Sequence, residues 1–253
     1  MADNRPIGVM DSGFGGMSTL KTLRETLPRE SFVFWGDNAH APYGVHTARE
    51  IQDYTMEVVR RLLEKDVKAI VIACNTATSA AAASLREQLS LPVLGLEPAL
   101  KPAVEYAGDG LVAVLATPAT LKLEKYQQLS LKYGRNTVNV PCPELVELVE
   151  AGQTDTPQVR ACIEEKLAAC RGRLKAVVLG CTHFVWLRDA VQRAVPGVRV
   201  FDGNQGLALH LIDVLQTNRL ETAAEYGTCE YHTTSQDPEI LRRLEDFARR
   251  VEG

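Results

Sequence analysis

Two stretches of this sequence, KAIVIACNTATS at residues 68–79 and KAVVLGCTHF at residues 175–184, end in the same way. In each, a short apolar run leads to a cysteine, Cys74 or Cys181, that is followed by small or polar residues. Such a run predicts a fully buried strand of a parallel sheet. Because the carboxyl ends of parallel strands face the ligand crevice of an α/β protein, we expect both thiols in active-site loops.

Apolar runs alternate with helical patterns along the whole chain. Helix-like stretches such as TAREIQDYTMEVVRRLLEK and TPQVRACIEEKLAACRGRL lie between the runs. The alternation predicts an α/β fold with a mostly parallel sheet covered by helices. The predicted strands are IGVM, FVFW, AIVIA, PVLGL, LVAVLA, TVNVP, AVVLG and VRVF.

The second four runs repeat the first four. Cys181 follows Cys74 by 107 positions (181 − 74), and nearly the same offset carries FVFW to the region of NVPC. We therefore expect two similar lobes related by a pseudo-twofold axis, with the active site between them. The first lobe would comprise residues 1–97 plus 206–253, and the second residues 98–205. All βαβ units share this pattern, so a coincidental match stays open.

Composition excludes several classes of function. The 28 Lys and Arg against 32 Asp and Glu leave a net charge of -4, with no basic tract that could follow a phosphate backbone. Neither a secretory leader nor an apolar membrane span is evident, so we expect a cytoplasmic protein with no nucleic-acid or membrane partner. Six cysteines without a C-x-x-C pair favour reduced thiols over disulfides.

The loop DSGFGGMS, residues 11–18, follows the first predicted strand and superficially resembles a dinucleotide fingerprint. Ser18 replaces the third glycine, and Asp11 places a carboxylate where a pyrophosphate would bind. The loop suits a small anionic amino or hydroxy acid better, because it brings backbone N–H groups, the Ser12 hydroxyl and one carboxylate to a helix N-terminus. Alternatively, Asp11 is a helix N-cap and the glycines form a tight turn.

A single cysteine at a strand end is more often a packing residue than a catalytic one. Here both cysteines precede a predicted helix, whose N-terminus lowers a thiol pKa. Asn75, Thr76 and Thr182 could hold a carboxylate on which negative charge develops. A metal site is a poor alternative because C-x-H supplies only two ligands. Cys162 and Cys170, eight apart on a predicted helix, are expected to be core residues.

Six motifs in this order resemble the cofactor-independent glutamate racemases of the aspartate/glutamate racemase superfamily: DSGFGG, APYG, ACNTATS, LEPA, CPELVELVE and GCTHF. The resemblance implies a two-lobed α/β fold and interconversion of L- and D-glutamate for peptidoglycan synthesis. It also implies a homodimer and no cofactor or metal.

The resemblance assigns roles residue by residue. Cys74 and Cys181 would be the two acid/base thiols, Asp11 and His183 would assist proton transfer, and Glu150 would be a supporting carboxylate. The ammonium and carboxylates of the substrate would be held by Ser12, Tyr43, Gly44, Asn75, Thr76, Thr117, Thr120 and Thr182.

The sequence also departs from the family pattern. His40 and Ala41 replace an arginine and a bulkier residue, and Val185 and Trp186 replace Pro-Leu. His40 has no clear motif role, and a solvated or packed histidine is the default interpretation. The alternatives are an aspartate or broad-specificity amino-acid racemase, a one-thiol lyase, and a catalytically silent binding protein on the same scaffold.

Overall fold

The computed structural model describes residues 2–252. Helices and strands alternate along nearly all of this range, as the sequence predicts. In chain order the elements are β1 (Ile7–Asp11), α1 (Met17–Thr26), β2 (Phe32–Gly36), α2 (Ala48–Leu63), β3 (Ala69–Ile72), α3 (Asn75–Gln88), β4 (Val93–Gly95), α4 (Leu100–Ala107), β5 (Leu111–Ala116), α5 (Pro118–Lys122), α6 (Glu124–Tyr133), β6 (Thr137–Pro141), α7 (Pro143–Glu150), α8 (Pro157–Leu167), β7 (Leu174–Leu179), α9 (Thr182–Val185), α10 (Arg188–Ala194), β8 (Arg199–Asp202), α11 (Asn204–Thr217), β9 (Cys229–Thr233) and α12 (Pro238–Glu252).

The chain divides into two compact units. Unit 1 comprises Met1–Leu96 and Asn204–Gly253, and unit 2 comprises Glu97–Gly203. Unit 1 contains a five-stranded sheet in the order β4-β3-β1-β2-β9, and unit 2 contains a four-stranded sheet in the order β6-β5-β7-β8. All neighbouring strands in both sheets are parallel. The α/β class is therefore confirmed.

The two sheets share one internal strand order. Counted within its own unit, the first strand of each sheet lies between the second and the third, and the fourth pairs with the third. This repeated order agrees with the internal repeat that the sequence offset predicts. Unit 1 differs by one additional edge strand, β9, which pairs with β2 and which the apolar pattern did not predict.

Helix α2 illustrates how the sequence fixes an element that supports the site. Thr47 and Glu50 form a capping box at its N-terminus, which satisfies backbone donors that would otherwise have no partner. Its buried positions include Ile51, Val58 and Leu62, which recur on one helical face and pack in the core of unit 1. This face holds the helix against the sheet.

Candidate functional site

Cys74 lies at the carboxyl end of β3 and caps helix α3. Its Sγ accepts a hydrogen bond from the backbone N–H of Ala77 at 3.4 Å, and its thiol lies 3.5 Å from the Ser12 hydroxyl oxygen. The thiol is buried at the N-terminus of a 14-residue helix, as the sequence predicts. The partial positive charge of that helix end favours the thiolate over the thiol.

Asp11 and Cys74 stand at the same end of two neighbouring strands. Met10 of β1 pairs with Ile72 of β3, so the strands run in register towards Asp11, the last residue of β1, and Cys74, two residues beyond the end of β3. The Asp11 carboxylate is fully buried and accepts a hydrogen bond from the Gly13 N–H at 3.0 Å. Asp11 is not the N-cap of α1, because that helix begins six residues later, at Met17, and Gly16 is its cap.

Gly16 allows helix α1 to approach the Asp11 side chain. A Cβ at this position would lie 2.5 Å from the Cβ of Asp11 and 3.1 Å from the Cβ of Ala73. Both distances are shorter than van der Waals contact, so only glycine fits without displacing the carboxylate. Gly16, the last glycine of DSGFGG, thus serves packing around Asp11.

Asn75 presents a buried amide oxygen next to Cys74. Within residues 2–252, no donor lies within hydrogen-bonding distance of its Oδ1. A buried acceptor without a partner is costly, and an incoming N–H group would remove that cost. The neighbouring Thr76 is also buried on the first turn of α3. These positions fit the predicted role in holding an ammonium and a carboxylate.

Tyr43 and Gly44 lie on a 3₁₀ turn, Tyr43–Val45, that contacts α3. The Tyr43 hydroxyl donates to Asp37 Oδ2 at 2.7 Å. Burial, followed by the negative neighbours Asp37 and Cys74, raises the pKa of Tyr43 far above its ordinary value. The phenol therefore stays protonated at neutral pH.

The unit 2 cluster is centred on Cys181, at the end of β7. The Sγ of Cys181 lies 3.6 Å from Nδ1 of His183, and Nε2 of His183 lies 2.5 Å from Oε1 of Glu150, the last residue of α7. All three are mostly or fully buried. The structure thus joins the predicted thiol, histidine and carboxylate into one hydrogen-bonded chain.

The electrostatics of this chain favour a charged imidazole. Burial acts to lower the pKa of His183, but hydrogen bonds to Cys181 and Glu150 and the charge of Glu150 outweigh it and raise that pKa well above its ordinary value. An imidazolium 3.6 Å from a sulfur stabilises a thiolate. The cluster can therefore hold Cys181 as a base and return a proton to it.

A helix begins after Cys181, as the sequence predicts, but it is short. Cys181 caps α9, a helix of four residues, whereas Cys74 caps one of fourteen. In a single turn the opposite partial charges lie close together and largely cancel. The imidazole of His183 supplies the positive group here instead.

The predicted threonines lie at helix starts in unit 2. Thr117 caps α5 and accepts the backbone N–H of Thr120 at 3.2 Å, while their two hydroxyl oxygens lie 2.9 Å apart. Thr182 is buried at the first position of α9. Each hydroxyl can donate to a carboxylate while accepting from the backbone.

The other cysteines of unit 2 have less reactive thiols. Burial raises the pKa of Cys142 to about 12 and that of Cys162 to about 11, and it also raises the pKa of Cys170. Contrary to prediction, Cys162 and Cys170 do not share one helix, because α8 ends before a 3₁₀ turn at Ala168–Cys170. Cys162 is also only partly buried, beside Glu144.

Asp37 and His40 form a network that sequence reasoning missed. The sequence motifs place neither residue in the site. The His40 Nδ1 lies 3.0 Å from both carboxylate oxygens of Asp37, which also binds the Tyr43 hydroxyl. The spacing of three residues in DNAH was the only signal in the sequence.

No group of three or more His, Cys, Asp or Glu side chains suited to a metal ion occurs in the described residues. Within residues 2–252, no helix combines the length and apolar character needed to cross a bilayer. The six cysteines are all unpaired thiols, which confirms the expectation from their spacing.

This chain is similar to known racemases in both sequence and structure. The Asp/Glu/Hydantoin racemase family model matches residues 7–211. A glutamate racemase of Clostridium perfringens is 42% identical over 244 residues, which are 94% of this chain and 94% of that protein.

Two crystal structures are similar over nearly the whole chain. The glutamate racemase of Thermus thermophilus in complex with beta-chloro-D-alanine matches with a TM-score of 0.80 and 36% identity, covering 97% of this chain and 94% of that one. The Escherichia coli glutamate racemase in complex with L-glutamate and the activator UDP-MurNAc-ala matches with a TM-score of 0.86 and 28% identity, covering 98% and 95%.

Proposed function

This chain belongs to the Asp/Glu/Hydantoin racemase family, and we propose that it interconverts L- and D-glutamate by using its own side chains alone. It is an isomerase that supplies D-glutamate for peptidoglycan synthesis. The observation that carries the proposal is that each unit ends a buried strand at a thiol with an acid–base partner. Cys74 lies beside Ser12 and follows the strand next to the one that ends at Asp11, and Cys181 lies beside His183.

Inversion of an α-carbon requires a base on one face and an acid on the other. In the proposed reaction, one cysteine thiolate takes the α-proton, and the electron pair of the broken C–H bond stays on the substrate. The other cysteine thiol gives its proton to the opposite face. The products are the mirror-image amino acid, one new thiol and one new thiolate, so charge and atoms balance.

The partners of each thiol set its protonation. The imidazole of His183 can take a proton from Cys181 and return it, while Glu150 holds the ring in orientation. The Asp11 carboxylate and the N-terminus of α3 serve Cys74. Following the family resemblance, Cys74 deprotonates D-glutamate and Cys181 deprotonates L-glutamate.

Acid–base catalysis alone contributes about 10²- to 10⁴-fold, too little to make an amino-acid α-proton labile. Hydrogen bonds to the substrate carboxylate, where negative charge develops, stabilise the transition state further. Each well-placed donor contributes roughly 2.7 to 4 kcal/mol. We propose that Asn75 Oδ1 accepts a hydrogen bond from the substrate ammonium. This bond gives a partner to an otherwise unpartnered buried oxygen. The carboxylates would be held by Ser12, Tyr43, Gly44, Thr76, Thr117, Thr120 and Thr182.

The decisive experiment incubates the purified protein with each enantiomer of glutamate and follows circular dichroism. We expect both enantiomers to converge on the racemic mixture without added pyridoxal phosphate, nucleotide or metal. A Schiff-base absorbance band, or loss of activity on treatment with a chelator, would contradict the cofactor-independent mechanism. The Cys162→Ala variant is a matched control and should keep full activity.

Aspartate tests the assignment of glutamate as substrate, because an aspartate racemase is the nearest alternative. A site that hydrogen-bonds the far carboxylate can reject a shorter acid by more than the roughly 1 to 3 kcal/mol that one methylene is worth in an apolar pocket. We expect kcat/KM for glutamate to exceed that for aspartate at least about 100-fold. Equal values of kcat/KM for the two amino acids would contradict the glutamate assignment and would indicate an amino-acid racemase of broad specificity.

We further propose that the enzyme works in the cytoplasm as a homodimer. Its free cysteines support a reducing compartment, since two of them are the proposed acid–base groups. Dimerisation follows from the family resemblance, and sedimentation velocity at micromolar concentration would test it.

A further inference from the structure

The Asp37 carboxylate is buried directly behind the Tyr43–Val45 turn. Only 1% of the residue is exposed, yet three side chains approach its oxygens. The hydroxyls of Tyr43 and Thr234 each donate at 2.7 Å, and Nδ1 of His40 lies 3.0 Å from both oxygens. A carboxylate so deeply buried needs such donors, because it has lost its water.

Asp37 links this turn to the residues proposed for proton transfer. Its backbone N–H donates to the carbonyl oxygen of Asp11 at 2.9 Å, which fixes its main chain to the end of β1. Its side chain holds Tyr43, which packs in the same core cluster as Cys74. The position of the turn relative to Asp11 and Cys74 therefore depends on this carboxylate.

Among residues 2–252, the partners of the Asp37 carboxylate are two hydroxyls and the imidazole of His40. The His40 ring stacks on Tyr54 of α2 at 3.9 Å with an interplanar angle of 8°. The Nε2–H of His46 donates to the His40 carbonyl oxygen at 3.0 Å, and the His46 ring lies edge-on to Tyr54 at 5.3 Å. These contacts fix the His40 imidazole with its Nδ1–H directed at Asp37.

We propose that His40 is a positioning residue that, through Asp37, holds the Tyr43–Gly44 turn in the geometry that binds glutamate. The inference rests on the proposed function and deepens it. His40 itself does not contact substrate. Its loss removes one of the donors to a buried carboxylate and lets the turn shift, so substrate binding weakens while the thiol chemistry is retained.

The test replaces His40 with phenylalanine, which keeps the ring stacked on Tyr54 and removes the Nδ1–H donor. A hydrogen bond to a charged group is typically worth enough to change a binding constant about tenfold or more. We expect KM for glutamate to rise about tenfold while kcat changes less than about threefold. Because the equilibrium constant of a racemisation is one, kcat/KM must fall by the same factor for both enantiomers.

His232 provides a matched control in the same unit. Its ring stacks on Trp35 at 4.5 Å and its Nε2 pairs with Glu230 at 3.1 Å, and its side chain is 30% exposed, against 32% for His40. The His232→Phe variant should leave KM and kcat unchanged. The His40→Arg variant should restore KM, because a guanidinium supplies both the donor and the charge.

Hydrogen–deuterium exchange over residues 38–47 reads the turn directly and should be faster in His40→Phe than in His232→Phe. If His40→Phe does not fold, the Thr234→Val variant provides the test. It removes another donor from the Asp37 carboxylate and should also raise KM for glutamate. An unchanged KM in a folded variant, or a raised KM that arginine does not restore, overturns the positioning role alone. Lack of racemisation by the wild-type protein would overturn the proposed function and this inference with it.

Discussion

Glu150 and His183 lie 2.5 Å apart, Oε1 to Nε2, although 33 residues separate them in the chain. Because the carboxylate accepts the Nε2–H, the other ring nitrogen faces Cys181. A carboxylate that orients an imidazole, which in turn activates a nucleophile or base, is a recurrent catalytic arrangement. In the proposed reaction it serves a thiol that exchanges a proton with the substrate α-carbon.

The Glu150→Gln variant should lower kcat at least about 100-fold. The amide carries no charge, so it no longer supports the charged imidazole that stabilises the Cys181 thiolate. Steady-state kinetics with both enantiomers would measure the loss. Glu147→Gln, on an exposed position one turn earlier in α7, is the control and should retain wild-type activity. Equal activities of the two variants would remove Glu150 from the mechanism.

The stability of the wild-type protein should decline as pH rises above neutrality. The folded pKa of His183 is raised well above its ordinary value, so the folded state binds more protons than the unfolded state between the two pKa values. The stabilisation is complete below about pH 6.5, the unfolded pKa, and is lost as pH rises through the folded pKa, by at most about 1.4 kcal/mol per pH unit.

Urea unfolding of the wild type and of Glu150→Gln between about pH 6 and pH 9 would measure this effect, because the difference between their curves isolates the pair. We expect the wild type to lose its advantage over the variant as pH rises. A constant difference across this range would contradict the coupling of His183 to Glu150.

Deuterium incorporation tests the two-thiol mechanism. If each enantiomer loses its α-proton to one thiol and gains a solvent proton from the other, early product formed in D₂O carries deuterium while unreacted substrate stays protiated. Mass spectrometry of separated enantiomers would show this asymmetry. Equal early deuteration of substrate and product would indicate one base that serves both faces.

Single replacements complete that test. Cys74→Ala and Cys181→Ala should each abolish racemisation, and the serine variants should leave at most a trace, because a hydroxyl is a far weaker acid than a thiol. Substantial activity of Cys181→Ala would return this cysteine to a packing role.

Gly16→Ala should reduce activity by crowding the Asp11 carboxylate. The added methyl group would lie 2.5 Å from the Asp11 Cβ, so either the side chain or the start of α1 must move. Small displacements of catalytic groups cost up to about 100-fold in rate, and we expect kcat to fall about tenfold or more. Gly206→Ala is the control in α11, since a Cβ there meets no atom within 4 Å. Similar kinetics for both variants would show that Asp11 tolerates the displacement.

Much of the fold could be predicted because buried parallel strands leave a plain signal. Each of the eight apolar runs overlaps a strand, and both cysteines follow their strands as expected. Strand β9 was missed because CEYHT lies at the sheet edge and is only half-buried, so its sequence has no apolar run. A strand of this kind forms because β2 offers free backbone partners, which local sequence does not reveal.

The residues of the candidate site also fall into those that local sequence predicts and those that it does not. Local sequence sufficed to select Cys74, Asn75, Cys181 and His183 as candidates, because they stand in short ordered motifs. It did not suffice for the Asp37 network, where Thr234 contacts a residue 197 positions away and His40 is fixed by stacking on Tyr54. Contacts of this kind depend on tertiary packing and carry no local pattern.

The discontinuity of unit 1 has a consequence for synthesis on the ribosome. Phe32 pairs with Cys229, whereas unit 2 uses only the uninterrupted residues from Glu97 to Gly203. Unit 2 can therefore acquire its structure while unit 1 still lacks β9, α11 and α12. While residues 204–253 are added, at about 5 to 20 residues per second, the nascent chain exposes the unpaired edge of β2. Until β9 pairs with β2, the strand edge that will later support Asp37 is open to wrong pairing.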